Sequence, residues 1–79
     1  MVEIKFEILE AVSVLSESTS GWTKEINLVS WNGKPARYEI RDWAPDHEKS
    51  GKGITFNQEE WNNLLAVAIL LNDKQSLDK

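Results

Sequence analysis

The sequence predicts an α+β domain: a four-stranded, curved antiparallel sheet followed by one C-terminal helix, in the order β-β-β-β-α. Three observations carry that expectation. Apolar and polar residues alternate with a period of two through Val2 to Ile8, Trp22 to Trp31 and Ala36 to Trp43, as in strands that bury one face. Asn32-Gly33 separates the second and third of these runs, and both residues tolerate the positive φ of a tight hairpin turn. After Asn57 the spacing changes to threes and fours, which puts Trp61, Leu64, Leu65 and Ala68 on one helical stripe.

The first strand is expected over Val2 to Leu15, with Val2, Ile4, Phe6 and Ile8 set against Glu3, Lys5 and Glu7. Its register shifts near Leu9 to Val12, where a bulge or bend would return Val12 and Val14 to the core. Ser16 to Gly21 is small and polar, a connecting loop. In the second strand Trp22, Ile26 and Leu28 share a face with Lys24, while Asn27, Val29 and Trp31 share the other. Pro35 opens the third strand, where a missing amide is tolerated. There Tyr38 and Ile40 lie on one face and Arg37, Arg41 and Trp43 on the opposite one. Ala44 to Gly53 reads as a polar loop in which Gly51 and Gly53 let the backbone bend tightly around Lys52. Ile54 to Phe56 is β-branched and aromatic, a short fourth strand.

Asn57 is the expected N-cap, its side-chain oxygen accepting from the first turn, and Glu60 stands three residues on to bond back to the cap amide. The helix is predicted over Gln58 to Leu71, and 73–79 as a frayed tail to a single domain spanning 1–72. Beyond the stripe, Val67, Ile69, Leu70 and Leu71 spread apolar surface nearly all the way round the helix. One sheet covers only one side. A second copy of the chain is the simplest cover for the other, with Val67, Leu70 and Leu71 as homodimer contacts.

A chain of 79 residues is close to the size at which one core is only marginally stable. It has no cysteine, so a disulfide framework and a thiolate metal site are both excluded. Glu3, Glu7 and Glu10 stand where a signal peptide would be basic and apolar, and no run is long enough to span a bilayer, so a cytoplasmic location is expected. The net charge of -4 argues at first against a polyanionic partner. Its distribution argues otherwise. Residues 22–53 carry six bases against five acids, while the segments on either side are net acidic, so a local positive surface is compatible with the total.

The chemistry expected is binding, with no enzyme activity and no cofactor or metal. His47 is the sole histidine and stands between Asp46 and Glu48, where it reads as a solvated loop residue without partners for a ligand set. Gly-Lys-Gly alone is no phosphate loop. Trp31, Arg41 and Trp43 instead crowd neighbouring strands of one hairpin, with Arg37 on the same side and Lys34 at the turn. Indoles stack on unpaired bases of any identity and the cations between them track phosphates, as in a sequence-tolerant binder of single strands. The same pattern is met by two core tryptophans beside a solvated basic face, and the residues leave both readings open. Trp61 belongs to the core by its stripe; Trp22 is assigned to neither role.

Tyr38-Glu39-Ile40-Arg41-Asp42-Trp43, followed by the run from Ser50-Gly51-Lys52-Gly53 through Glu59-Glu60-Trp61, resembles the transcriptional coactivator family of positive cofactor four, and its bacterial YdbC-type members most. The resemblance covers about Trp22 to Leu71. It implies a homodimer that binds single-stranded DNA on curved antiparallel sheets, with the helices helping to form the dimer contact. By position it implies base stacking for Trp31, basic contacts for Lys34, Arg41 and Lys52, and an aromatic role near Trp43. Lys24, Arg37 and Lys49 join these candidates from strand pattern and local charge. Val29 departs from the eukaryotic members, which carry arginine there. Single-stranded RNA as the ligand, and a protein-interaction module of the same fold, are the alternatives to be separated.

Overall fold

A computed structural model describes residues 5–77 of the chain. Four strands, β1 (Phe6–Glu17), β2 (Thr23–Trp31), β3 (Arg37–Trp43) and β4 (Ser50–Thr55), precede one helix, α1 (Gln58–Leu77). They form a single antiparallel sheet in the order β1-β2-β3-β4, so each strand pairs with its neighbour in sequence. The β-β-β-β-α order expected from the alternation is the one observed. Val2 and Ile4 lie outside the described residues.

The β2–β3 connection follows from its Asn-Gly pair. Asn32 and Gly33 both take positive φ, 53° and 76°, and the Lys34 amide donates to the Trp31 carbonyl at 2.9 Å, closing the turn. The same turn holds β1. The Asn32 amide donates to the Lys5 carbonyl at 2.8 Å, and the Lys5 amide donates to Asn32 Oδ1 at 2.9 Å. One turn residue thereby anchors two hairpins.

β1 departs from its expectation. Its register against β2 shifts three times, leaving Leu9, Val12 and Leu15 as extra residues, so the bulge predicted near Leu9 is the first of a series. Each bulge inserts one residue and bends the strand. Val12 and Val14 are not returned to a core; they are 43% and 58% exposed, because no second layer among the described residues covers this part of the sheet.

The glycine-lysine-glycine segment also differs. It lies in β4, paired with β3 through Arg41 opposite Gly53 and Trp43 opposite Ser50, with one irregularity between them. Its glycines make room for side chains. A Cβ on Gly53 would fall 2.8–2.9 Å from the Arg41 side chain, and one on Gly51 would fall 3.0 Å from the Trp22 ring. The true connection is shorter and contains a 3-10 turn at Pro45–His47.

The two faces of the sheet are distinct. Ile26, Leu28, Tyr38 and Ile40 share one face and are each half-buried; Tyr38 stacks on Trp61 of α1 at 4.6 Å and 9°, and Phe56 leans on the same indole at 5.5 Å. The reciprocal cap that starts the helix here is the expected one: the Glu60 amide donates to Asn57 Oδ1 at 2.7 Å and the Asn57 amide to Glu60 Oε1 at 2.8 Å. Trp61 is buried as expected, but the stripe behind it is not. Leu64 is half-buried, while Leu65 and Ala68 are exposed, because the helix leaves the sheet after its first turns. It continues past the predicted Leu71 to Leu77, a length of roughly 30 Å at 1.5 Å per residue.

Candidate nucleic-acid interface

Alternation sends Glu25, Asn27, Val29 and Trp31 of β2 to the other face, together with Arg37, Glu39, Arg41 and Trp43 of β3. The register sets Glu25 opposite Arg41, Asn27 opposite Glu39 and Val29 opposite Arg37. Most of the deeply buried side chains among the described residues are here: Trp43, Glu39, Val29 and Asn27 are each exposed by 1% or less.

Trp31 and Trp43 lie parallel, 4° apart in plane and 6.0 Å between centroids. Phe6 of β1 leans against both, at 5.5 Å and 4.9 Å, and His47 meets Trp43 edge-on at 5.0 Å. Only Trp31 of the two indoles reaches solvent. Trp43 is 0% exposed, so the expectation that it forms an open platform is corrected: neighbouring rings occupy its surroundings. Among the described residues its Nε1–H has no acceptor, so packing of the ring, and not a polar bond, holds it inside.

A polar network underlies Trp31. Its Nε1–H donates to Glu39 Oε1 at 2.6 Å, and Arg41 Nε donates to Glu39 Oε2 at 2.6 Å. The Arg41 guanidinium stands 4.9 Å from the Trp31 ring centroid, a cation-over-ring arrangement, and also donates to the Gly51 carbonyl at 2.9 Å. A second network begins at Glu25, which accepts from Asn27 Nδ2 at 3.0 Å and Thr23 Oγ1 at 2.5 Å and meets His47 Nε2 at 2.9 Å. Burial pushes the Glu25 carboxyl up, but the hydrogen bonds from Asn27, His47 and Thr23 and the charge on His47 outweigh it, leaving a pKa below the ordinary 4.5. His47 is therefore more than a solvated loop residue: it ties the loop at Pro45–His47 to β2.

The remaining candidates divide by position. Trp31, Lys34 and Arg37 line one cleft of about 300 Å3 with Val29, Pro35 and Thr55. Lys49 and Lys52 are exposed on the β3–β4 connection and the start of β4. Lys24 is not brought to this cluster; by strand alternation it lies on the opposite face, paired in register with Asp42. Trp22 is half-buried beside Gly51, a packing role. Val67, Leu70 and Leu71 are far along α1 and 51%, 67% and 55% exposed.

Sequence reasoning passed over Phe6, Glu25 and Glu39. For Glu39 a signal existed, since an acid two residues before an arginine on one strand shares its face. Phe6 was legible only as an apolar position of the first strand, because its contacts with Trp31 and Trp43 come from the pairing of β1 with β2. Among the described residues no group of three or more His, Cys, Asp or Glu could hold a metal ion, and no helix is long and apolar enough to cross a membrane.

These features define a class: a small single-sheet module that sets an accessible indole, Trp31, beside rim cations and over a buried polar scaffold. The chain belongs to the Transcriptional Coactivator p15 (PC4) family, whose model matches residues 18–67. This is a nucleic-acid-binding, non-enzymatic family that binds single-stranded DNA. The match includes every residue of the indole face except Phe6. The chain is also similar to an uncharacterized protein of Treponema pallidum (strain Nichols), 41% identical over 76 residues, which is 96% of this chain and 85% of that relative.

Proposed function

We propose that this protein binds single-stranded DNA without sequence preference as a homodimer, and serves transcription or DNA maintenance through that binding. The observation that carries the reading is Trp31: a tryptophan left accessible at a cleft shared with Lys34 and Arg37, in a chain of a single-stranded-DNA-binding family. An unpaired base stacks on the Trp31 ring, and Lys34, Arg37, Lys49 and Lys52 meet the phosphates on either side. Trp43 backs the stacking ring. Lys24 is left out of the contact set because of the face it occupies. Val67, Leu70 and Leu71 meet a second copy, which covers the apolar side of α1 that the sheet leaves bare.

The test is a titration of the full chain with oligo-dT across a salt series, followed by tryptophan fluorescence. Trp31→Ala is expected to weaken binding by about 1–3 kcal/mol. Lys52→Ala is expected to reduce the slope of log affinity against log salt by roughly 0.7. Parent-like binding by both variants would remove this site assignment. Tighter binding to oligo-U than to oligo-dT would make RNA the ligand.

A further inference from the structure

Glu39 is an acid enclosed completely at the centre of the proposed interface, 0% exposed. A carboxylate at a phosphate-binding surface opposes its ligand, so its position calls for a physical reason. Both of its oxygens are in use. One accepts from the Trp31 indole at 2.6 Å and from Arg41 Nη2 at 3.4 Å; the other accepts from Arg41 Nε at 2.6 Å. The third direction of the Arg41 guanidinium is taken by the Gly51 carbonyl, and Gly53 keeps clear the strip of β4 along which its stem lies. The Arg41 side chain is only 17% exposed. Its charge is thus matched by a neighbour held at contact distance, and its Cζ stands over the Trp31 ring. An arginine so arranged adds little net attraction for a phosphate, whereas an exposed lysine such as Lys52 keeps its full charge for one.

We propose that Glu39 is a positioning residue of the interface: its carboxylate fixes the Trp31 indole and the Arg41 guanidinium as one rigid platform, and Arg41 serves that platform instead of acting as a phosphate contact. The inference rests on the single-stranded-DNA reading and refines it. Two classes of residue follow. Exposed cations supply the salt-dependent part of affinity, and the Trp31–Glu39–Arg41 unit supplies the salt-independent part. Arg41 is moved from the first class, where its position in the sequence put it, to the second.

The experiment compares the parent with Arg41→Lys and Lys52→Ala on oligo-dT across a salt series, and compares the parent with Glu39→Gln in free solution by the solvent exchange of the Trp31 indole proton. Lysine keeps the charge at position 41 but loses the planar fork. The expected result is an affinity lower by about tenfold at every salt concentration with an unchanged salt slope, against a slope lower by roughly 0.7 for Lys52→Ala. Glu39→Gln, nearly isosteric, is expected to speed exchange of the Trp31 indole proton while the fold is retained by circular dichroism. Parent-like affinity for Arg41→Lys, or an indole exchange rate unmoved by Glu39→Gln, would overturn the proposal. Failure of the parent itself to bind oligo-dT is a separate outcome, and would remove the binding reading on which the platform depends.

Discussion

The indole face and the outer half of α1 both carry large apolar side chains and end in opposite states. On the face, Trp43, Val29 and two carboxylates are sealed by their own chain, and each of the two acids has its donors. On the helix, Val67, Ile69, Leu70 and Leu71 are all more than half exposed. The difference lies in neighbours. Strands pair with strands adjacent in sequence, so the sheet closes its networks within one chain, whereas α1 buries Trp61, half-buries Leu64 and leaves Val67 to Leu71 exposed among the described residues. The first region is covered by its own chain, and the second is the surface on which the proposed second copy would lie.

Breaking the join between the two regions should have the largest effect. Trp61→Ala removes the ring that stacks on Tyr38 and touches Phe56, and is expected to cost about 3–5 kcal/mol in urea unfolding. A loss under 1 kcal/mol would mean that α1 does not depend on that ring for its attachment. Next comes the bare helix surface. Val67→Asp with Leu70→Asp should shift sedimentation from dimer to monomer and make the melting temperature independent of protein concentration. A parent that already sediments as a monomer would refute the proposed second copy.

Smaller effects sharpen the contrast. Asn57→Ala removes one half of the reciprocal cap and should cost about 1 kcal/mol, read by urea denaturation, with nucleic-acid binding unchanged. The most graded effect is that of pH. Glu25 has a folded pKa below its ordinary 4.5, so its contribution is complete above that value and is lost as pH falls through the depressed folded value. Glu25→Gln should therefore flatten the acid side of a stability-pH profile. An unchanged acid limb would show that Thr23, Asn27 and His47 hold it less firmly than their distances imply.

Much of this organisation was legible in the letters. Alternation grouped Asn27, Val29 and Trp31 on one face and Tyr38 with Ile40 on the other, since a period of two has only two assignments. Asn32-Gly33 and the Asn57–Glu60 cap are local chemistry, complete within four residues. What stayed hidden depends on distant residues. Alternation says which side chains share a face but not which of them a third strand will cover, so Trp43 looked as open as Trp31 until Phe6 and His47 were set beside it. The glycines at 51 and 53 looked like a flexible loop because the side chains they make room for, Trp22 and Arg41, lie on other elements.

The repeated register shifts of β1 have a consequence for how the molecule keeps to itself. β1 is an outer strand, twelve residues long, with Leu9, Val12, Val14 and Leu15 exposed, a composition that in a flat ribbon would invite edge-to-edge polymerisation. Three interruptions deny an incoming chain any long stretch of evenly spaced amides and carbonyls to copy. The opposite border, β4, is short and carries a lysine between two glycines beside its own irregularity. An open sheet in which neither margin offers a template can keep an apolar edge strand in water without nucleating fibrils.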